Sequence, residues 1–305
     1  MPHDPNAETL VVAVSSRALF DLEDEARLFA EHGMAAFAAR QQSLETVPLS
    51  PGPAFPLVRG LLALNAFTPP GAPPFTDAVV VSSQHPDTGL RVLNSIGHHG
   101  LAVSAAAFTG GGPTARYLQA FRTGLLLSRS GEDAQAAADM GIAAAAMYDL
   151  PENWQEMEDG CLRVAFDGDA VVFSDESEAI FQRGGIAAFV ANEEAKEYVP
   201  LPEGPHGRFL RALHRIRAAA PQAVRIALVT ARGPAASGSR ALRTLRAWGI
   251  GVDEAIFLNS RPKAEFVRGF RAHIFFDDKD HHLRAAAEHV PSGRVPCRLE
   301  MPAAA

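Results

Sequence analysis

The chain resembles itself. Gly33-Met34-Ala35-Ala36-Phe37-Ala38 lies over Gly185-Ile186-Ala187-Ala188-Phe189-Val190 at an offset of 152 (185 − 33), and Gly52-Pro53 lies over Gly204-Pro205 at the same offset (204 − 52). After a small gap Val81-Ser82-Ser83 falls on Val229-Thr230-Ala231. Pro113 then falls on Pro262, and Phe121-Arg122 on Phe270-Arg271, at 149 (262 − 113; 270 − 121). Self-similarity on this scale restricts the fold to two copies of one unit, and 305 residues suffice for two medium α/β cores. The polar stretch 149–160, where Pro151, Asn153 and acidic residues interrupt both strand and helix patterns, is the expected junction. The expected domains are therefore residues 1–150 and 151–305.

Within each copy, short apolar runs end in small or polar residues: Leu10 to Val14, Ala78 to Val81, Leu162 to Phe166, Ile226 to Val229 and Ile274 to Phe276. Runs this short and this rich in Val, Ile, Leu and Phe predict strands of a parallel sheet buried on both faces. Between them, Arg208 to Ile216 predicts a helix with Phe209, Leu213 and Ile216 on one face, and Ser239 to Trp248 another with Leu242 and Leu245 inward. Strands alternating with helices predict a doubly wound α/β fold. The stretches 48–56 and 69–74 read as Pro-rich surface loops.

A net charge of −7 argues against broad affinity for nucleic acid, which needs a concentrated basic surface. An anionic substrate must then be met by a local site. Cys161 and Cys297 are too few for a disulfide framework or a zinc site and read as reduced thiols. The first ten residues lack the basic start and apolar core of a signal peptide, and no apolar run is long enough to span a bilayer. The expectation is a cytoplasmic protein without a membrane partner.

Chemistry concentrates at predicted strand ends, the edge where open α/β sheets bind ligands. The strand 162–166 delivers Asp167-Gly168-Asp169. Of two such carboxylates, one can attack phosphorus while the other gives a proton to the leaving alkoxide and takes one from water. The strand 226–229 delivers Thr230, whose hydroxyl can reach a phosphoryl oxygen or simply cap a helix. Ser260-Arg261-Pro262-Lys263 sets a cation at a helix start, against the usual dipole preference for anions there. The strand 274–276 delivers Asp277-Asp278, and with Asp167 these make an oxygen-ligand set of the kind Mg²⁺ takes. His98-His99 and His281-His282 read as solvated helix-start residues, and Gly110-Gly111-Gly112 as a turn.

Asp167-x-Asp169, Thr230, Lys263 and Asp277-Asp278 stand in the order of the four haloacid dehalogenase-like motifs. The longer strings 166–178, 229–232 and 273–278, with Ala13 to Phe20 near the start, resemble the type I cytosolic 5′-nucleotidases over nearly the whole chain. The resemblance implies two Rossmann-like lobes, the second catalytic, and Mg²⁺-dependent hydrolysis of nucleoside 5′-monophosphates through an aspartyl phosphate. It makes Asp167 the nucleophile and Asp169 the general acid and base. It implies phosphoryl and substrate contacts from Thr230, Ala231, Arg232 and Lys263. Phe173, which closely follows Asp167, reads either as a ring to stack on a base or as a core residue. Asp167, Asp169, Asp277 and Asp278 are the implied metal set, and a homo-oligomer the implied assembly. The rival readings are a phosphatase of another phosphomonoester, such as a sugar phosphate, and a nucleotide-binding sensor. His281 and His282 stand where the wider superfamily often has a further acidic residue, so the choice between Asp277 and Asp278 as direct metal ligand stays open.

The first copy has lost these groups: Ser15 and Arg17 stand for Asp167 and Asp169, Thr114 for Lys263, and Ser128 and Arg129 for Asp277 and Asp278. It is expected to be chemically silent. Arg17 and Arg129, with Ser15, Ser82 and Thr109, leave two readings of its edge: a pocket for a nucleotide effector, or structural drift.

Overall fold

A computed structural model of the chain describes residues 9–155 and 159–297. The chain start read above, Met1–Glu8, and Glu156–Glu158 of the expected junction lie outside the described residues. The fold is mixed α/β, with mostly parallel strands flanked by helices, in two compact units, Met1–Ile142 and Ala143–Ala305.

The first unit runs β1 (Leu10–Val14), α1 (Ser16–Leu19), α2 (Glu23–Ser43), α3 (Phe55–Ala63), β2 (Thr76–Ser82), α4 (Leu90–His98), β3 (Val103–Phe108), α5 (Ala115–Leu118), β4 (Thr123–Ser128) and α6 (Gly131–Asp139). Its strands lie in the order β3-β2-β1-β4, all parallel. The second unit runs β5 (Ala143–Met147), β6 (Leu162–Phe166), α7 (Glu176–Ala195), α8 (Gly207–Ala219), β7 (Val224–Thr230), α9 (Ala236–Ala247), β8 (Glu254–Phe257), α10 (Ala264–Phe270), β9 (Ile274–Asp277), α11 (Asp280–Ala287) and β10 (Ser292–Arg294). The order β8-β7-β6-β9 repeats that of the first unit, and β10 follows in parallel. The division falls before the polar junction because β5 pairs antiparallel with β10, Met147 opposite Gly293 and Ala146 opposite Arg294.

The apolar runs are buried strands because both sheet faces are covered. In β6 and β9, Ala165 and Phe275 join Val267, Phe270, Leu283 and Ala286 from α10 and α11. Phe166 and Phe276 face the other way and stack at 5.6 Å, with Phe209 of α8 edge-on to both. Helix α8 buries Phe209, Leu213 and Ile216 as its spacing predicts. Helix α9 differs: Leu242 is 41% exposed, and the inward face is Arg240, Ala241, Thr244 and Leu245. Hydrogen bonds made by Arg240 and Thr244 draw that face inward despite their polarity.

The same hydrogen-bond frame recurs in each unit. Arg240 Nε donates to Val199 O at 2.9 Å, and Thr244 Oγ1 donates to Arg240 O while accepting from Leu201 N–H. In the first unit Arg91 Nε donates to Val47 O at 2.9 Å, and Ser95 Oγ donates to Arg91 O while accepting from Leu49 N–H. These pairs keep the offsets of the sequence, 152 (199 − 47) and 149 (240 − 91). Backbone exceptions recur too. Gly33 (φ 76°) and Gly185 (φ 67°) each break one long helix, and Arg122 (φ 53°) and Arg271 (φ 58°) are both left-handed.

Candidate active site

Strand order fixes the site. With β7, β6 and β9 adjacent and parallel, the residues at their carboxyl ends, Thr230, Asp167 and Asp277, arrive at one edge. Asp167 N–H bonds Phe276 O at 2.8 Å, which ties the end of β6 to β9, and its carboxylate accepts from Gly168 N–H at 2.6 Å. Residues 168–172 then form a wide turn closed by Phe173 N–H to Gly168 O, with Ala170 left-handed at φ 59°. A Cβ at Gly168 would stand 3.0 Å from Thr230 Oγ1, so any larger residue would push on that hydroxyl.

Lys263, at the start of α10, is wholly buried, and its Nζ lies 2.7 Å from an oxygen of both Asp167 and Asp277. Burial pushes its pKa down, but the two carboxylates outweigh burial and hold it above the usual lysine value. Asp277 also accepts from Lys279 N–H at 2.8 Å and meets His282 Nδ1 at 3.2 Å. Burial raises its pKa; Lys263 and His282 outweigh burial and leave it lowered. Asp278 is different. It is buried, its Oδ2 has no hydrogen-bond partner, and Lys279 Nζ is 3.5 Å off. Burial, then the charges of Asp167 and Asp277, push it up to about 8, and burial raises Asp167 to about 6.

Asp167, Asp277 and Asp278 each offer an oxygen within 4.8 Å of the others. Three buried carboxylates so close repel one another; Lys263 answers two of them at 2.7 Å, and Lys279 stands 3.5 Å from the third. A buried carboxylate oxygen that accepts no hydrogen bond in such a cluster fits a divalent cation with oxygen ligands.

Asp169, expected in the metal set, does not join this cluster. Both its oxygens go to Arg232, at 2.6 Å from Nη2 and 2.9 Å from Nε. Arg232 is buried between the rings of Phe173 and Phe189 and also donates to Glu193, Ser177 Oγ and Ser237 O. The expected stacking of Phe173 on a base is corrected: its ring is fully buried and packs on Trp248 at 5.7 Å, so it presents no face to a ligand. Ala231 stays partly exposed beside Thr230. Sequence reading takes His282, which meets Asp277, for a solvated helix-start residue, and it misses Glu193 and Ser177. Its repeat register could have exposed Glu193, an acid on a helix face whose counterpart in the first copy is Gln41 (193 − 152).

In the first unit the matching positions carry a different network. Thr114 and Ser128 donate to the two oxygens of Asp133, each at 3.1 Å, and Asp133 stands where His282 stands (282 − 149). Arg17 and Arg129 do reach the same edge, but both end on Glu23, at 3.0 and 3.3 Å.

Carboxylates and a buried lysine gathered at the carboxyl edge of parallel strands define a site suited to phosphoryl chemistry. The chain belongs to the 5′-nucleotidase family, whose profile matches residues 1–301. It is 39% identical over 297 residues to human cytosolic 5′-nucleotidase 1B, covering 93% of this chain and 48% of that protein. The chain thus spans about half the length of that curated relative. No solved structure gives a significant match.

Proposed function

We propose that this chain is a cytoplasmic 5′-nucleotidase that hydrolyses nucleoside 5′-monophosphates to nucleoside and phosphate with Mg²⁺ as cofactor. The observation that carries the reading is the buried Asp167–Lys263–Asp277 group with Asp278 beside it, whose Oδ2 accepts no hydrogen bond. Family membership supports the reading, and the name of the human relative supports the compartment and the substrate class. Among the described residues no helix is long and apolar enough to cross a membrane.

In this mechanism Asp167 Oδ attacks phosphorus in line with the nucleoside 5′-oxygen, forming an aspartyl phosphate, and the departing oxygen takes its proton from Asp169. Water then attacks the phosphorus, Asp169 takes back a proton, and phosphate leaves as Asp167 is regenerated. Lys263 and Thr230, with the Ala231 backbone, hold the phosphoryl oxygens, and Lys263 balances charge as the nucleophile changes from carboxylate to acyl phosphate. Asp167, Asp277 and Asp278 would hold Mg²⁺, which when bound neutralises phosphate charge and fixes the approach to Asp167. Residues 1–142 take the role of a non-catalytic unit in this reading, since no carboxylate stands at its Ser15, Arg17, Ser128 or Arg129. A nucleotide effector there would have to displace Glu23 from Arg17 and Arg129.

The test is Asp167→Asn assayed for phosphate release from a panel of nucleoside 5′-monophosphates and sugar phosphates. The reading expects the parent to turn over the nucleotides and the variant, equally folded, to be inactive. Parent-like activity in the variant removes the nucleophile assignment, and preference for a sugar phosphate removes the substrate class.

A further inference from the structure

Arg232 has no donor left for a substrate. A guanidinium carries five N–H groups, and each has a protein acceptor: Nε–H on Asp169 Oδ2, the two on Nη2 on Asp169 Oδ1 and Ser177 Oγ, and the two on Nη1 on Glu193 and Ser237 O. Its side chain is 1% exposed, as is that of Glu193. Glu193 in turn accepts from Ser177 Oγ at 2.9 Å and from Arg240 Nη1 at 2.8 Å. The chain Glu193–Arg232–Asp169 therefore runs from the second segment of α7 to the edge of the active site, and its outer member alone is partly open, at 20%.

The first unit supplies an internal control. There Arg17 replaces Asp169 (169 − 152), Gln41 replaces Glu193, and Gln84 replaces Arg232 (232 − 148). The last equivalence holds in backbone detail: Gln84 N–H bonds Ser82 Oγ at 3.3 Å, as Arg232 N–H bonds Thr230 Oγ1 at 3.3 Å. Both polar atoms of the Gln41 side chain, and Oε1 of Gln84, are buried there without hydrogen-bond partners. Yet Arg91, the counterpart of Arg240, keeps its contact with a loop carbonyl and a buried carboxylate, here Glu25 at 2.6 Å. The unit without a catalytic carboxylate at this position has thus kept the arginine that serves the fold and lost both members of the relay.

We propose that Arg232 and Glu193 are positioning residues: Glu193 fixes Arg232, and Arg232 holds the Asp169 carboxylate by a two-point fork in the orientation from which it exchanges protons with the leaving oxygen and with water. This rests on the role of Asp169 given above. A fork fixes the plane of a carboxylate as a single charge cannot. It acts through Asp169, so it governs turnover and leaves affinity alone.

The test uses Arg232→Gln and Glu193→Gln, each copying the residue of the first unit, with AMP, IMP and CMP as substrates. General acid–base catalysis contributes about 10²- to 10⁴-fold. Losing the fork should therefore cut kcat about 100-fold in Arg232→Gln and about 10-fold in Glu193→Gln, with KM changed less than about 3-fold. Arg232→Lys should recover only a small part, since lysine has no fork. The double variant Asp169→Asn/Arg232→Gln should be no slower than Asp169→Asn alone, because the relay has no other outlet. Arg91→Gln, at the purely structural counterpart, should lower the melting temperature and leave kcat unchanged. A KM raised tenfold with kcat intact, or losses that multiply in the double variant, overturns the proposal and returns Arg232 to a substrate contact. If Asp169→Asn matches the parent, the acid–base reading itself fails, an outcome distinct from failure of the relay alone. Should Arg232→Gln not fold, Glu193→Gln and Ser177→Ala carry the same kcat-against-KM test.

Discussion

Asp277 and Asp278 are consecutive in the chain and opposite in circumstance: every oxygen of Asp277 is engaged by Lys263, His282 or Lys279 N–H, while Oδ2 of Asp278 has no hydrogen-bond partner. The sequence left open which of the two binds metal directly, and this asymmetry favours Asp278 as the ligand with capacity to spare. Asp278→Asn should raise the Mg²⁺ concentration for half-maximal activity at least about tenfold. A second readout needs no turnover. Mg²⁺ should raise the melting temperature of the parent, because a ligand that binds only the folded state stabilises it, and should shift Asp278→Asn far less. Equal thermal shifts in both proteins would rule out Asp278 as a ligand.

Lys263 separates two buried carboxylates. Lys263→Met leaves Asp167 and Asp277 facing one another without a cation, and breaking a buried pair costs about 3–5 kcal/mol. Urea denaturation in chelator should show a loss of that order, and phosphatase activity should vanish. A loss under about 1 kcal/mol would mean that the carboxylates take up protons instead, which the pH dependence of the variant's stability would reveal.

Gly33 and Gly185 both have positive φ, and a Cβ at either would meet nothing within 4 Å. The cost of alanine there is conformational alone, about 1–3 kcal/mol, because with ψ of −174° and −167° both positions lie in a region nearly confined to glycine. Gly33→Ala and Gly185→Ala should lose similar stability, measured by urea denaturation. Markedly different losses would show that the two kinks are not equivalent.

His206 is buried among Phe166, Phe209 and Phe276, both ring nitrogens lack hydrogen-bond partners, and burial lowers its pKa from 6.5 to about 3. The unfolded chain therefore binds a proton below pH 6.5 that the native ring refuses until about pH 3. Stability is unaffected above 6.5 and falls between those values by up to about 1.4 kcal/mol per pH unit. His206→Leu should melt higher than the parent at pH 5, with the gap narrowing toward pH 7.5. A gap that stays constant would mean that the ring is not excluded from protonation.

Much of this could be read from the chain. The runs at 10–14 and 162–166 coincide with β1 and β6, because strands buried on both faces are written as unbroken apolar stretches. By contrast β3, with Ser104-Ala105-Ala106-Ala107, and β5, with Ala143-Ala144-Ala145-Ala146, carry a helix former and give no strand signal. Pairing with neighbouring strands overrides that propensity. Asp167, Lys263, Asp277 and Asp278 were legible because each ends a strand or opens a helix at one edge. Glu193 and His282 were not, since each works through a helix face that a linear reading assigns to solvent. Phe173 was misplaced because closeness in sequence to Asp167 says nothing of which way a ring turns.

The wide turn after Asp167 differs from its counterpart in the first unit by one residue. Phe20 N–H closes on Ser16 O, four residues back, whereas Phe173 N–H closes on Gly168 O, five back. The added residue is confined: Phe20 and Phe173 both bridge to the same following loop, at Pro51 and Glu203, which again differ by 152 (203 − 51). The change of one residue persists to the start of the next helix, Glu23 against Glu176 (176 − 23 = 153), and is absorbed within its first segment, since the breaks at Gly33 and Gly185 are again 152 apart (185 − 33). Such indels let a duplicated scaffold diverge in chemistry at its rim while its interior drifts only by substitution.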